Sequence, residues 1–353
     1  MPSSITKAPS WHGNAPMIPV SIVTGFLGAG KTTLVARILR DPAFARTAVI
    51  VNEYGEIGLD HDLIAGGDET FLALTTGCLC CAVRSDLIET LLDLGRRAAG
   101  QFDRVLIETS GLADPAPILQ ALMTDPDVCA GYAIDTMAAT IDPILGLTTL
   151  DRYPEARRQA ALADVLVFTK TDLAAPDAAL TARLDDLNLG AARVDGRDFA
   201  PGTIFANADP MARAARLIAV PDRLPGTPFG RARHADGIET ETLLRDRPLA
   251  ALALTLWLQA LTEHCGDRLI RLKGLVAIAE MPGRPALVHG VQHVFSPPEF
   301  LDRWPSADTR TRLVFIFRDM PRFFPARLLA AIEEEVSEEL ETARGTVQGD
   351  AQD

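Results

Sequence analysis

The segment PVSIVTGFLGAGKTTLVARIL, residues 19–39, constrains the fold more than any other part of the chain. A run rich in Val and Ile reads as a buried strand, three glycines interrupt it, and a helical pattern, TTLVARILRD, then follows. The spacing fits GxxxxGK[ST] through Gly25, Gly30, Lys31 and Thr32. A loop of this kind between strand and helix wraps nucleotide phosphates with its backbone N–H groups, so Gly25, Gly28, Ala29, Gly30, Lys31, Thr32 and Thr33 form the expected cradle. Lys31 would reach the β- and γ-phosphates and the Thr32 hydroxyl would ligate Mg²⁺. The competing reading is a Gly-rich turn with no ligand.

From there the chain alternates short apolar strands with helical patterns through TAVIVN, SDLIETLLDLGRRA, RVLIET, PAPILQALM, YAIDTMAATID, ARRQAALA and DVLVFTKTDL. Strands without a polar face, separated by helices, predict an α/β domain with a mostly parallel sheet and helices on both faces. The spacing predicts a loose leader over residues 1–17, a nucleotide-binding domain over 18–220 and a Pro/Gly/Arg-rich linker over 221–237. A smaller α+β domain follows over 238–353, in which IETETLL, RLIRLKGLVAIAE, ALVHGVQHVF and RLVFIFR read as strands. RPLALALTLWLQAL and PARLLAAIEEEVSEELETA read as its helices, with Leu252, Leu256 and Trp257 expected in the core and the glutamates 333–341 on a solvated face. His289 and His293 are expected on one face of the strand ALVHGVQHVF, as ordinary structural histidines or as a secondary metal or client contact.

The formal charge of −13 disfavours a nucleic-acid partner, which needs clustered Lys and Arg. No stretch approaches the ~20 apolar residues of a membrane span, and no basic, apolar leader precedes the first strand, so the expected location is cytoplasmic.

Two further motifs concern the nucleotide. VLIETSG puts Glu108 at a strand end, where a carboxylate can hold Mg²⁺ or its water, and Gly111 three residues on, where an amide could sense a γ-phosphate. With Lys31 and Thr32, Glu108 completes the expected catalytic set. TKTD supplies Lys170 to pack over the base and Asp172 to accept from guanine N1 and N2, donors that adenine lacks in that arrangement. Cys78, Cys80 and Cys81 stand together in GCLCC, in a chain with five cysteines. Adjacent cysteines close a disulfide only with strained geometry, whereas three thiolates fill most of a tetrahedral Zn²⁺ site or accept Co²⁺. Burial as small hydrophobes is the alternative. Between the cradle and these thiols, NEYGEIGLDHDLI reads as a polar switch loop, with Glu53 a candidate additional metal ligand.

GFLGAGKTT, NEYGE, GCLCC, ETSGLADP, RQAALAD and TKTD occur in the order seen in the CobW-like P-loop GTPases, which the chain resembles over about residues 18–173. RLIRLKG and HGVQHVF resemble that family's C-terminal domain. The sequence departs from the resemblance at Thr169, where the guanine motif usually begins with Asn; the change bears on the contact near N7 and leaves Asp172 in place. Many relatives also carry a His-rich linker, of which only His234 is present. The resemblance implies GTP hydrolysis with Mg²⁺, Zn²⁺ or Co²⁺ on the CxCC thiols, and delivery of that metal to a client apo-metalloprotein. A homo-oligomer is compatible with the sequence. Two other readings stay open: a P-loop small-molecule kinase, and a GTP-regulated assembly factor whose thiols are only structural.

Overall fold

The computed structural model describes residues 17–52, 82–97, 100–205, 210–211, 214–215 and 237–349. The chain divides into two compact units, Met1–Asp209 and Pro210–Asp353.

In the first unit, β1 (Ile18–Gly25), β2 (Thr47–Asn52), β3 (Arg104–Thr109), β4 (Tyr132–Ile141), β5 (Val165–Phe168) and β6 (Ala192–Asp195) form one sheet in the order β2-β3-β1-β4-β5-β6. Every pairing is parallel. The helices are α1 (Lys31–Leu39), α2 (Ala82–Arg97), α3 (Ala116–Thr124), α4 (Pro126–Cys129), α5 (Gly146–Arg152), α6 (Pro154–Leu162), α7 (Ala178–Asn188) and α8 (Gly202–Phe205). Val23, Leu106, Ala138 and Val167 pack on one sheet face with Leu34, Val35 and Ile38 of α1 and with Phe199 and Phe205. The alternate residues Ile22, Ile107, Ala139 and Leu166 are equally buried, as a parallel sheet covered on both faces requires. β6 went unread in the sequence because ARVD is short, half polar and at the sheet edge.

The central position of β1 brings the loops after β1, β3, β4 and β5 to one edge of the sheet. Val23 is in register with Glu108 and Gly25 with Thr140, so these strand ends coincide. Gly25 has φ of 142°, and a Cβ there would fall 2.8 Å from the Thr140 carbonyl oxygen, so no side chain fits where β1 turns into the loop.

The second unit is an antiparallel sheet, ordered β10-β9-β8-β12-β7 with β11 on β9. Its strands are β7 (Ile238–Arg245), β8 (Leu269–Val276), β9 (Ala286–Val291), β10 (Val294–Phe295), β11 (Glu299–Phe300) and β12 (Thr311–Arg318), with helices α9 (Ala251–Cys265) and α10 (Phe324–Gly349). Trp257 is fully buried at the centre of this core, edge-on to Phe315 at 5.8 Å, and its indole N–H donates to the Pro325 carbonyl at 3.0 Å.

Three expectations need correction here. Leu252 and Leu256 are exposed, because α9 turns the adjacent stripe, Ala253, Leu254, Trp257, Leu258 and Leu261, into the core. ALVHGVQHVF is not one strand: Val291 pairs with Val294 across a two-residue turn at Gln292 and His293. His289 therefore lies in β9 opposite Lys273, while His293 sits in the turn, 3.9 Å from Asp267, and the two histidines share no strand face. Glu333 leaves the expected solvated face to pair with Arg245 at 2.7 Å. Among the described residues no helix is long and apolar enough to cross a membrane.

Candidate functional site

The strand-end edge of the parallel sheet assembles most of the residues singled out above. Lys31 and Thr32 open α1. Lys31 is buried, and its ammonium donates to the Phe26 carbonyl at 3.3 Å, which folds the side chain back over the P-loop. The Thr32 hydroxyl donates to Glu108 Oε1 at 2.7 Å. Glu108 is 4% exposed, a carboxylate brought into the interior at the end of β3. Next to it the Thr109 hydroxyl donates to Thr24 Oγ1 at 2.8 Å, which ties the ends of β3 and β1 together. An alcohol and a buried carboxylate within hydrogen-bond reach are hard oxygen donors of the kind Mg²⁺ takes.

Gly111 follows on the same loop, pressed against the P-loop. A Cβ at this position would come 2.7 Å from the Leu27 backbone nitrogen, so only glycine permits the approach. The loop is held from behind by Gln159 of α6, whose carboxamide nitrogen donates to the Gly111 and Ala113 carbonyls at 3.1 and 3.0 Å. Arg158 pairs with Asp114 on the same loop. RQAALAD thus contributes two side chains to the ETSGLADP loop, a role that residue type alone did not reveal.

On the other flank, Thr169 follows β5 and its hydroxyl lies 2.9 Å from the Ala29 carbonyl of the P-loop. Lys170 takes a left-handed φ of 50°, and its ammonium donates to Asp142 Oδ2 at 2.7 Å. Asp142 was not singled out from the sequence. It caps the turn after β4 by accepting from the Ile144 and Leu145 amides at 2.8 and 3.3 Å. Burial pushes this carboxyl up, but the Lys170 hydrogen bond and the two amides outweigh it and hold it below the usual carboxylate range. Asp172 is exposed on the same loop. The Thr171 hydroxyl donates to Asp195 at the end of β6, 2.7 Å away, which joins the TKTD loop to the next one. The Arg197 amide, with Thr171 assisting against burial, lowers the Asp195 carboxyl as well. A cavity of about 350 Å³ runs along the outer side of the P-loop between Phe26, Leu27, Ile141, Leu145 and Tyr153.

Cys78, Cys80, Cys81, Glu53, residues 54–64 of NEYGEIGLDHDLI and His234 lie outside the described residues. Among the described residues no group of three or more His, Cys, Asp or Glu side chains could hold a metal ion. Burial raises the thiols of both Cys129 and Cys265, Asp125 adding to the effect at Cys129, so neither offers a ready thiolate.

The nucleotide-binding domain model described as CobW/HypB/UreG matches residues 19–194, and the cobalamin synthesis protein cobW C-terminal domain model matches residues 238–341. The chain is 32% identical over 310 residues to a protein of Escherichia coli named zinc chaperone YjiA, covering 86% of this chain and 95% of that one. The chain belongs to the CobW family. A Pseudomonas aeruginosa member named zinc chaperone CobW is 32% identical over 345 residues, covering 86% of this chain and 88% of its own length. The crystal structure of Zn(II)-bound YjiA GTPase from E. coli superposes on 90% of this chain and 99% of its own, with a TM-score of 0.66 and 26% identity. Both CobW-family domains therefore occur in the expected order.

Proposed function

We propose that the chain is a GTP-hydrolysing metallochaperone that holds Zn²⁺, or a similar divalent ion such as Co²⁺, on Cys78, Cys80 and Cys81, and hands it to a client apo-metalloprotein as GTP becomes GDP. Glu53 is an additional ligand in this reading. The observation that carries it is the junction of the P-loop with a buried strand-end carboxylate, Thr32 Oγ1 on Glu108 at 2.7 Å, in a CobW-family chain. The zinc-chaperone names of relatives matching over 86% of the chain support the cargo. The division into a leader to residue 17, a GTPase domain 18–220, a linker 221–237 and a C-terminal domain 238–353 belongs to the same proposal.

Lys31 places a positive charge against the transferring phosphoryl group, and the loop amides donate to its oxygens. Thr32 and Glu108 would hold Mg²⁺, which when bound would supply positive charge against the phosphates. Gly111 carries the state of the γ-phosphate into the ETSGLADP loop, which Gln159 anchors to α6. β2 ends at Asn52 and α2 begins at Ala82, so the switch-like segment and the three thiols are bounded at both ends by elements of the nucleotide-binding unit.

The test is a metal competition titration on protein loaded with a GTP analogue and with GDP. The Zn²⁺ affinities should differ by a coupling free energy of about 1–3 kcal/mol, and metal should change the ratio of GTP to GDP affinities by the same factor. Cys80→Ser should remove both effects, since an alcohol cannot replace a thiolate. Equal Zn²⁺ affinities in the two nucleotide states would rule out nucleotide-driven transfer.

A further inference from the structure

We infer that this chain recognises guanine without reading N7, because the first side chain of its TKTD loop has already committed its only proton to the protein's own backbone. The inference rests on the proposed role of that loop in holding the base.

Thr169 Oγ1 lies 2.9 Å from the Ala29 carbonyl and 3.3 Å from the Ile141 carbonyl. Both are acceptors, and a hydroxyl has one proton to give. Whichever carbonyl takes it, Thr169 faces any further group as an acceptor. Guanine N7 is also only an acceptor, so the two have nothing to exchange. A carboxamide in this place would have two N–H groups, one for the Ala29 carbonyl and one for the base; threonine lacks the second. Its orientation is fixed as well: the Thr169 amide donates to Ile141 at 3.0 Å, and its methyl group packs against Gly30, where a Cβ would come within 3.2 Å. The loop's ammonium is anchored elsewhere, on Asp142 at 2.7 Å.

The hydroxyl is therefore a tether. It joins the loop after β5 to the phosphate loop after β1, two strands separated in the sheet by β4. Discrimination then falls on the Watson–Crick edge, where the Asp172 carboxylate can accept from N1–H and the exocyclic amine. The ligand class admitted is the guanine nucleotides with N7 replaced by carbon, alongside the natural ones.

Calorimetric titration of the full-length protein with GDP, 7-deaza-GDP and inosine diphosphate tests this. The expected Kd values for GDP and 7-deaza-GDP agree within about twofold, while inosine diphosphate, which lacks the amine, binds roughly tenfold or more weakly. A loss greater than about fivefold for 7-deaza-GDP overturns the inference while leaving the base-reading loop intact. Inosine diphosphate binding as tightly as GDP overturns the Asp172 assignment and the inference with it. Thr169→Val, which removes the tether, should weaken GDP and 7-deaza-GDP by the same factor; a loss confined to GDP would mean that the hydroxyl does read N7.

Discussion

Gln159→Leu sets two opposing effects against each other at a single buried site. The Gln159 side chain is 1% exposed, and its nitrogen satisfies two carbonyls, those of Gly111 and Ala113. Leucine has nearly the same volume and no donor, so both carbonyls lose a bond worth about 1 kcal/mol each, more if the loop cannot open to water. Against that, Gln159 Oε1 is itself buried without a hydrogen-bond partner among the described residues, and its removal relieves a desolvation cost of about 1 kcal/mol. The balance is a loss of about 1–2 kcal/mol from the first unit. Gln159→Glu should be worse, because a carboxylate facing two carbonyl oxygens in a buried site repels both. Urea unfolding of the nucleotide-free proteins, followed by far-UV circular dichroism, gives the order wild type, Leu, Glu in decreasing stability. The functional counterpart is selective: freeing Gly111 should weaken binding of a GTP analogue more than of GDP. If Gln159→Leu is as stable as the wild type and keeps the same GTP-to-GDP preference, the carboxamide does not anchor the loop.

Lys31→Ala should reduce GTP hydrolysis by at least about a hundredfold with little change in unfolding midpoint, since the ammonium acts on phosphate charge rather than on packing; single-turnover phosphate release measures it. Asp142 gives a pH dependence whose sign follows from its lowered carboxyl. A depressed folded-state value contributes stability that is fully present above the ordinary carboxylate range and is lost as pH falls through the folded value, so the Lys170–Asp142 clamp should open only in acid. Asp142→Asn should flatten the acid limb of a plot of unfolding free energy against pH between about pH 5 and 2, and an unchanged limb would remove Asp142 as its source.

The first unit was legible because its signals are local and doubled. Val, Ile, Leu and Phe on both faces of β1, β3 and β5 announce a strand buried on two sides, Gly25 at the end of β1 sits where the Thr140 backbone leaves no room, and Gly28 and Gly30 take left-handed φ of 70° and 86°. What stayed hidden depended on partners remote in sequence. Asp142 looks like a turn aspartate until the fold brings Lys170, 28 residues on, within 2.7 Å. Gln159 looks like a surface helix residue until α6 is placed behind Gly111, 48 residues earlier. In the second unit, VQHV lacks the Asn-Gly or Asp-Gly pair that usually marks a two-residue hairpin, and Gln292 takes a left-handed φ of 55° where a glycine or asparagine is usual. The error at Leu252 and Leu256 was one of phase: α9 offers two neighbouring apolar stripes, and only the contact of Trp257 with Phe315 and Pro325 selects between them.

The burial of Trp257 has an optical consequence. The chain has three tryptophans, Trp11, Trp257 and Trp304, so none falls between residues 18 and 209. Trp257 sits dry at the middle of the antiparallel core, and a half-buried Trp304 accompanies it in the same unit. Between residues 18 and 353, then, indole emission comes entirely from the C-terminal unit: its shift to longer wavelength follows the melting of that sheet, whereas the parallel sheet that carries the P-loop can lose its structure without a tryptophan of its own to signal it.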